Sequence, residues 1–459
     1  MTKPSIPKGT RDFGPKIMAK RNFIFNHIRN TFQNFGFQQL ETPSMENLNT
    51  LTGKYGDEGD QLLFKILNSG EYLKKNKKER INQDDIDQGE KHILPLIAEK
   101  GLRYDLTVPF ARFVAMNRNE LPFPFKRFQI QPVWRADRPQ KGRYREFYQC
   151  DADVVGTESL ICEAEIIMMI NEVFSKLGIT DFAIKINNRK ILSAIAELVG
   201  AKDQESDLFV AIDKLDKIGV DKVLDELRSK SFSEEAIEKI NSILSLPTKG
   251  TDGISPVKEI LADVEAGSKG ISEIEQVLDH LESFGLENNH LDFDVTLARG
   301  LSYYTGAIFE VKVNNVKIGS VSGGGRYDNL TGVFGVPDVP GIGFSFGVDR
   351  IFDVMEELGL FPGDLDKSTK VLIVNFDKES EKYGLGVLRK IREQGISAEI
   401  YPEQLKMKKQ FTYANKKGFK YTLSIGSEEI STGILTLKNM ESGEQFHKTI
   451  DDLFEVMKD

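Results

Sequence analysis

The spacing of hydrophobic residues changes period several times along the chain, and each change predicts an element. Apolar residues recur at helical intervals between Ile17 and Phe35, which predicts a helix that Gly36 ends. An extended run follows at 37–43. From 126 to 156 apolar and polar residues alternate, which predicts two strands of a long hairpin around the turn-rich loop 135–143.

The middle of the chain reads differently. Residues 187–288 are rich in Glu, Asp, Lys, Leu and Ile at helical spacing, which predicts a helical insertion between two strand-rich segments. Strand patterns return at 291–322, where 313–316 indicates a tight hairpin turn. The polar stretch 74–90 is predicted to be a solvated loop or an insertion.

A domain boundary is predicted near 361–367, where Pro, Gly and Asp cluster. Beyond it, short apolar strands alternate with helices, as in a small α/β unit. The predicted strands are 370–376, 396–401 and 421–425, and the predicted helices are 381–394 and 404–417.

Composition narrows the class of protein. The 459 residues are 40% hydrophobic and 29% charged, which is typical of a globular chain and argues against disorder. We expect no membrane segment, because no run of about 18 apolar residues occurs, and the amino terminus lacks a secretion signal. Cys150 and Cys162 are too few for a disulfide framework. These features predict a cytoplasmic protein.

The net charge of −9 counts only weakly against nucleic-acid binding, because a polyanion responds to local patches. Residues 126–150 hold seven cations and two acids, a local charge of +5. Arginine forks bind phosphate oxygens in pairs, and Arg135 falls at the end of a predicted strand. The alternative reading is a solvated hairpin surface.

Three glycine-containing segments add to this pattern. Residues 297–306 place Arg299 beside Tyr303 and Tyr304, although such a strand is more often a packed edge. Residues 322–328 contain three successive glycines, and residues 340–350 alternate glycine with apolar residues before Arg350. Glycines let a ligand approach the backbone, and a flat slot could hold a planar base. Neither the P-loop nor the dinucleotide spacing is present. Taken together, these strand-placed elements predict one nucleotide site.

These residues resemble a known family. Residues 37–43, 135–156 and 341–350 resemble motifs 1, 2 and 3 of class II aminoacyl-tRNA synthetases. Residues 297–306 and 323–328 resemble the two signatures of histidyl-tRNA synthetases, and residues 8–12 and 102–109 also match that family. Ser302 and Asn329 depart from the usual pattern.

The resemblance implies an α+β catalytic domain with a mostly antiparallel sheet, the class II synthetase fold. It implies a helical insertion and a carboxy-terminal α/β anticodon-binding domain as well. The expected boundaries are 1–186 and 289–362 for the two parts of the catalytic core, 187–288 for the insertion and 368–459 for the anticodon-binding domain. A homodimer is also implied.

The implied reaction joins L-histidine to its tRNA through a histidyl-adenylate. ATP would enter with Mg²⁺ as a substrate, and no metal caged by the protein is expected. The residues implied for ATP are Arg135 at the α-phosphate, Arg143, and Arg350 at the γ-phosphate. Arg299 would stabilise charge at the α-phosphate, in a place that related synthetases give to a metal ion. The residues implied to bind the substrate histidine form two groups. Its ammonium and carboxylate groups would contact Asp105, Thr107 and Gln149, and the remainder of the substrate would be surrounded by Asp153, Arg299, Tyr303, Tyr304 and Tyr327.

For tRNA, the resemblance implies Gln140 and Lys141 on the hairpin loop. The predicted helix at 404–417 and its flank contain six lysines and no acid, together with Phe411 and Tyr413. Lysines neutralise phosphates and aromatic rings stack on splayed bases, so Lys408, Lys409 and Lys416 are candidate tRNA contacts. The alternative is a solvated helix face.

Two other functions remain open. One is a non-catalytic regulatory subunit or histidine sensor, which typically lacks the active-site arginines and the anticodon-binding domain. The other is a class IIa synthetase for a different amino acid.

Overall fold

The computed structural model describes residues 3–75, 79–286, 290–298, 304–363, 365 and 370–458. The chain folds into two compact units, one formed by residues 1–12 and 21–360 and the other by residues 13–20 and 361–459. Within the described ranges, no helix combines the length and the apolar character needed to cross a membrane.

The described helices and strands are as follows. The helices are α1 (Pro15–Asn34), α2 (Leu48–Leu51), α3 (Gly56–Gln61), α4 (Gln83–Asp87), α5 (Glu90–Ile97), α6 (Thr107–Met116), α7 (Ile161–Lys176), α8 (Arg189–Leu198), α9 (Glu205–Ile212), α10 (Leu215–Ile218), α11 (Val220–Ser229), α12 (Glu234–Leu244), α13 (Ile254–Ile260), α14 (Glu265–Ser283), α15 (Val348–Glu357), α16 (Lys378–Glu393), α17 (Met407–Lys417), α18 (Ser427–Thr432) and α19 (Ile450–Lys458). The strands are β1 (Gln38–Gln39), β2 (Met45–Asn47), β3 (Lys65–Ile66), β4 (Lys74–Lys75), β5 (Glu79–Arg80), β6 (Lys100–Leu102), β7 (Phe125–Trp134), β8 (Glu146–Val155), β9 (Phe182–Asn188), β10 (Leu291–Phe293), β11 (Ala307–Val313), β12 (Ser322–Tyr327), β13 (Gly341–Gly347), β14 (Val371–Ile373), β15 (Ala398–Ile400), β16 (Tyr421–Ser424), β17 (Leu435–Asn439) and β18 (Gln445–Lys448).

An eight-stranded sheet organises the first unit, in the order β1-β7-β8-β13-β12-β11-β9-β10. The six strands from β7 to β9 pair antiparallel, and only the outer pairs β1–β7 and β9–β10 are parallel. The predicted mostly antiparallel sheet is therefore confirmed. The helices α8–α14 lie in the chain between β9 and β10.

Side chains of a strand alternate between the two faces of a sheet, so the two faces can differ in polarity. One face of this sheet is apolar. Phe32 of α1 packs on Phe128 of β7 and Phe346 of β13, with ring centroids 5.5 and 6.0 Å apart. Phe174 of α7 contacts Phe346 at 5.9 Å. These residues are completely buried, and burial of each contributes about 1.5–3 kcal/mol to stability. The intervening residues of the same strands face away from α1 and α7.

One predicted connection is wrong, and a second contains more regular structure than a solvated loop. Residues 313–316 do not form a tight hairpin turn, because β11 pairs with β12 from Val311 opposite Ser322 and the chain between them forms a longer loop. Residues 74–90 are not simply a solvated loop, since they include the β4–β5 hairpin and α4. An Asn82–Asp85 capping box stabilises α4, a local signal within a polar stretch.

The second unit contains a five-stranded sheet in the order β15-β14-β16-β17-β18. Strand β14 pairs parallel with β15 and β16, as in an α/β unit, whereas β17 and β18 add antiparallel strands. Val371 and Ile373 face a core shared with α16 and α19, and Leu372 packs on Ala414 of α17. Helices therefore cover both faces of this sheet.

Candidate active site

The face of the sheet opposite α1 and α7 is polar at its centre. Gln149, Asp151 and Asp153 alternate along β8 and therefore share this face. Across the ladder, Arg127 of β7 pairs with Asp153, and Ser345 of β13 pairs with Asp151. A buried polar cluster of this kind is costly unless its members find partners, so it indicates a site rather than a core.

A cavity of about 140 Å³ opens onto this polar face. It collects residues that are far apart in the chain. The lining residues are Asp105, Thr107, Arg135, Gln149, Asp151, Asp153, Tyr304, Gly323, Gly324, Tyr327, Gly343, Phe344 and Ser345. Every residue predicted to contact histidine is in this set, apart from Arg299 and Tyr303, which lie outside the described residues.

Tyr327 and Asp153 form a coupled pair at the inner end of the cavity. The Tyr327 hydroxyl donates to Asp153 Oδ1 at 2.7 Å, and Arg127 Nη2 lies 2.7 Å from Asp153 Oδ2. All three side chains are buried. Burial raises the pKa of the Asp153 carboxyl, and the Arg127 charge opposes that shift. Burial and the Asp153 charge together raise the pKa of Tyr327, which stays a hydrogen-bond donor.

Asp105 and Gln149 line the same cavity, and each carries a buried acceptor oxygen. Asp105 Oδ1 accepts hydrogen bonds from the Tyr55 hydroxyl and the Val108 amide, 3.0 and 3.1 Å away. Gln149 Nε2 donates to Ser345 Oγ at 3.0 Å. Among the described residues, neither Asp105 Oδ2 nor Gln149 Oε1 has a hydrogen-bond partner. Two buried acceptors without donors suit a cationic ligand group.

Asp151 was not among the predicted site residues. It is 2% exposed and lies between Gln149 and Asp153 on the polar face. Burial raises the pKa of its carboxyl to about 7, against the opposing effect of Arg127. The signal in the sequence was the spacing of 149, 151 and 153, which puts all three side chains on one face of a strand.

A larger cleft of about 520 Å³ shares Arg135, Gln149, Tyr304 and Ser345 with the small cavity. Its cations are Arg135, Arg143 and Arg350, so the arginines predicted to bind phosphates meet in one place. The neighbouring cavities thus combine a cationic cleft with an acidic pocket.

The three arginines of the cleft differ in how firmly they are held. Arg135 donates from Nε to the Tyr104 carbonyl at 3.1 Å and lies 4.1 Å above the Tyr104 ring. Arg350 donates to the carbonyl oxygens of Gly142 and Ser320, at 2.9 and 2.5 Å. The Arg143 side chain is half exposed. Arg350 therefore joins the hairpin loop to the β11–β12 loop at the edge of the cleft.

Two glycines of β13, Gly341 and Gly343, are needed because neighbouring side chains leave no room for a Cβ. A Cβ on Gly343 would lie 2.0 Å from Asp153 Oδ1, and one on Gly341 would lie 2.5 Å from the Tyr327 ring. The expectation that these glycines form a slot for a planar base is wrong at both positions, because they make room for the Asp153–Tyr327 pair. Gly347, in contrast, lines the larger cleft.

The interpretation of the basic segments needs correction at three residues. Arg127 counts toward the +5 charge of the hairpin, but its side chain is completely buried and neutralised by Asp153. Lys126 pairs with Glu165 at 2.6 Å. Arg326 also points away from the cavities and forms a buried ion pair with Glu163, with two N–O distances of 2.5 and 2.7 Å. Charge counts along the chain cannot distinguish such internal partners from free surface cations.

The remaining candidates lie elsewhere. The described residues on either side of Arg299, 297–298 and 304–306, are not in a strand, contrary to the prediction. Gln140 and Lys141 lie on the hairpin loop outside both cavities, and Lys141 pairs with Glu357 at 2.7 Å. No group of three or more His, Cys, Asp or Glu side chains suited to a metal ion occurs among the described residues.

In the second unit, the candidate lysines of α17 are exposed. Their residues are Lys408, Lys409 and Lys416. Tyr413, which was expected to face a nucleic acid, instead packs between Tyr401 and Phe419, with centroid distances of 5.2 and 6.0 Å. Its hydroxyl donates to Glu399 at 2.8 Å. Of the two predicted aromatic contacts, Tyr413 is thus half-buried and packs against the core of this unit.

Comparisons with known proteins agree over the whole chain. A family model described as Histidyl-tRNA synthetase matches residues 98–351, and one described as Anticodon binding domain matches residues 370–459. The chain is 56% identical to a histidine–tRNA ligase of Cytophaga hutchinsonii over 453 residues, 99% of both sequences. It is equally identical to one of Phocaeicola vulgatus over 456 residues, again 99% of both. The crystal structure of the histidyl-tRNA synthetase from Nostoc sp. PCC 7120 is 30% identical, has a TM-score of 0.82 and is matched over 100% of this chain and 99% of that one.

Proposed function

The chain belongs to the histidyl-tRNA synthetase family, and we propose from this membership how its residues divide the reaction. It joins histidine to tRNA in an ATP-dependent reaction that passes through a histidyl-adenylate. The histidine carboxylate attacks the α-phosphate of ATP and pyrophosphate leaves. Negative charge accumulates on phosphate oxygens in this step, so the main requirements are positioned cations and an oriented amino acid.

We assign the 140 Å³ cavity to histidine. The observation that carries this assignment is the set of buried acceptors in it, namely Asp105 Oδ2, Gln149 Oε1 and the Asp153–Tyr327 pair. The first two would accept hydrogen bonds from the ammonium group, with Thr107 beside them. Asp153 and Tyr327, with Tyr304 and Tyr303, would surround the imidazole.

This assignment accounts for selectivity. A site that hydrogen-bonds both ring nitrogens leaves buried polar groups unpaired when another side chain enters. An unpaired buried group costs about 1–3 kcal/mol, and each 1.4 kcal/mol is about tenfold, so two unmet contacts discriminate by about one to four orders of magnitude. No separate editing domain is then needed for histidine.

We assign the 520 Å³ cleft to ATP. Arg135 borders both cavities, so it would hold the α-phosphate where the histidine carboxylate meets it. Arg350 and Arg143 would hold the outer phosphates, with Arg350 at the γ-phosphate. Arg299 would stabilise charge at the α-phosphate, in the place that related synthetases give to a metal. Mg²⁺ would arrive with ATP, because it prefers phosphate oxygens and water to an all-protein cage.

We propose that tRNA contacts both units. Gln140 and Lys141, on the loop beside the ATP cleft, would meet the acceptor end. Lys408, Lys409 and Lys416 on α17 would neutralise phosphates near the anticodon. The functional parts would follow the boundaries 1–186, 187–288, 289–362 and 368–459, in a cytoplasmic homodimer.

Histidine-dependent exchange of pyrophosphate into ATP tests the assignment. We expect exchange with histidine and none above background with the other amino acids. Absence of histidine-dependent exchange would favour a regulatory subunit, and exchange with another amino acid would favour a different class IIa synthetase. Tyr327→Phe keeps the ring and removes the hydroxyl, so it should raise the KM for histidine and leave the KM for ATP unchanged.

A further inference from the structure

Asp151 occupies the centre of the polar face but has no role in the reaction as assigned above. It borders the histidine cavity and lies opposite Gln129 in β7 and Ser345 in β13. The Asp151 side chain is only 2% exposed, so its carboxylate has lost most of its contact with water. This desolvation costs much free energy unless protein groups replace the lost hydrogen bonds. A buried acid of this kind needs an explanation beyond packing.

We infer that Asp151 is a positioning residue, which keeps the Gln149 amide turned so that its oxygen faces the histidine cavity. The inference rests on the proposed role of Gln149 Oε1 as an acceptor for the histidine ammonium group. Asp151 itself would not touch the reacting atoms.

The chemistry of the amide supports this inference. A glutamine amide has two ends of nearly equal shape, so its orientation is decided by its hydrogen-bond partners. Gln149 Nε2 lies 3.0 Å from Ser345 Oγ and 3.4 Å from Asp151 Oδ1. An ionised carboxylate only accepts hydrogen bonds, so it favours the NH₂ end on its side. The oxygen then points away from Asp151, where it has no partner among the described residues.

Ser345 alone would not fix the orientation. A hydroxyl can donate or accept, so it tolerates either end of the amide. Ser345 lies opposite Asp151 in the pairing of β13 with β8, so the carboxylate is beside both the amide nitrogen and its hydroxyl partner. A flipped Gln149 would present an NH₂ group to an ammonium ion, and neither group could accept.

The charge state of Asp151 depends on its surroundings. The charged groups that act on it are Arg127 and Arg103, which favour the ionised form, and Asp153 and Asp105, which disfavour it. The pKa of the Asp151 carboxyl is about 7. When the pH falls below this value, the carboxyl gains a proton and can donate a hydrogen bond, so its preference for the amide nitrogen is lost. The orientation of Gln149 should therefore weaken as the pH falls through that range.

Asp151→Asn tests the inference, because it keeps the shape and introduces a donor. We expect the KM for histidine to rise about tenfold, the loss of one charge-assisted hydrogen bond, with kcat and the KM for ATP within about twofold. Asp279→Asn on the exposed side of α14 is the matched control and should leave all three unchanged. An unchanged histidine KM in Asp151→Asn, or a variant that does not fold, would overturn the inference in favour of no role or a structural role.

The pH profile of kcat/KM for histidine gives a second readout that a structural role would not move. The wild type should lose activity below about pH 7 through Asp151 and through the substrate imidazole, whose pKa is about 6.5. Asp151→Asn should keep only the substrate limb. Coincident profiles, after scaling, would overturn the inference.

A double-mutant cycle with Gln149→Ala separates the inference from its premise. If Asp151 acts through Gln149, Asp151→Asn should change the histidine KM by less than about twofold in the Gln149→Ala background. A full additional tenfold rise would overturn the inference while Gln149 kept its role. If Gln149→Ala alone left the histidine KM unchanged, the proposed ammonium contact would fail first, whatever the wild-type exchange activity.

Discussion

Substitution of Gly343 by Ala should impair histidine recognition by adding one methyl group to the floor of the pocket. The new Cβ would lie 2.0 Å from Asp153 Oδ1, whereas ordinary contact begins at 3.4 Å. The Asp153 carboxylate must therefore move by more than about 1 Å. It is held at 2.7 Å by the Tyr327 hydroxyl and at 2.7 Å by Arg127, so a shift of this size breaks at least one of the two contacts.

The magnitude follows from the bonds at stake. A hydrogen bond to a charged group contributes about 1.5–3 kcal/mol, and each 1.4 kcal/mol is about a tenfold change in affinity. We expect the KM for histidine to rise between about tenfold and a hundredfold in pyrophosphate exchange, with the KM for ATP nearly unchanged. Overpacking should lower stability by about 1–3 kcal/mol.

The control is Gly386→Ala on α16, where the added Cβ meets nothing within 4 Å. That variant should be as stable as the wild type or slightly more so, because alanine favours a helix. A folded Gly343→Ala protein whose histidine KM stayed within twofold of the wild type would refute the steric reasoning. Equal increases in the two KM values would show that the strand, and not the Asp153–Tyr327 pair, had been displaced.

Three further predictions concern other parts of the chain. Arg299→Ala should abolish adenylate formation in pyrophosphate exchange and leave tRNA affinity nearly intact; parallel loss of both would contradict its role at the α-phosphate. Replacing three exposed lysines of α17 with alanine should weaken tRNA binding. It should also reduce the slope of log affinity against log salt concentration by about one per lysine, and an unchanged slope would show that this helix face is only solvated. Glu163→Ala leaves Arg326 buried without its partner and should lower the free energy of unfolding by about 3–5 kcal/mol, measured from denaturation midpoints. Glu165→Ala, which breaks the more exposed pair with Lys126, should cost about 1 kcal/mol or less, and equal losses would contradict the burial argument. The lysines of the second prediction are Lys408, Lys409 and Lys416.

Much of the site was predictable because strand alternation and the family motifs can both be recognised from residues close together in the chain. Gln149 and Asp153 were expected to bind histidine from the resemblance of their segment to the family, and both line the pocket. Period-two segments predicted strands on both sides of a helical insertion, and the resemblance implied that their sheet is mostly antiparallel.

Partners far apart in the chain were not predictable. Arg326 belongs to a glycine-rich signature, and its neutralisation by Glu163 depends on a contact across 163 positions. The burial of Arg127 likewise depends on its pairing with Asp153 across the β7–β8 ladder. The role of Asp151 was missed for a related reason, since alternation places it on the polar face but does not show what it contacts.

The alternation along β8 also sets how the protein tolerates changes in length. Gln149, Asp151 and Asp153 face the pocket, while Cys150, Ala152 and Val154 face the other side of the sheet. Deleting one residue within this strand would exchange the two sets, putting carboxylates against the apolar helices α1 and α7. The same deletion in the exposed part of the loop 135–143 would leave the pairing of β7 with β8 intact. A change in the length of that loop therefore leaves the register of β8 unchanged, whereas β8 itself keeps its two faces only when one residue is replaced by another.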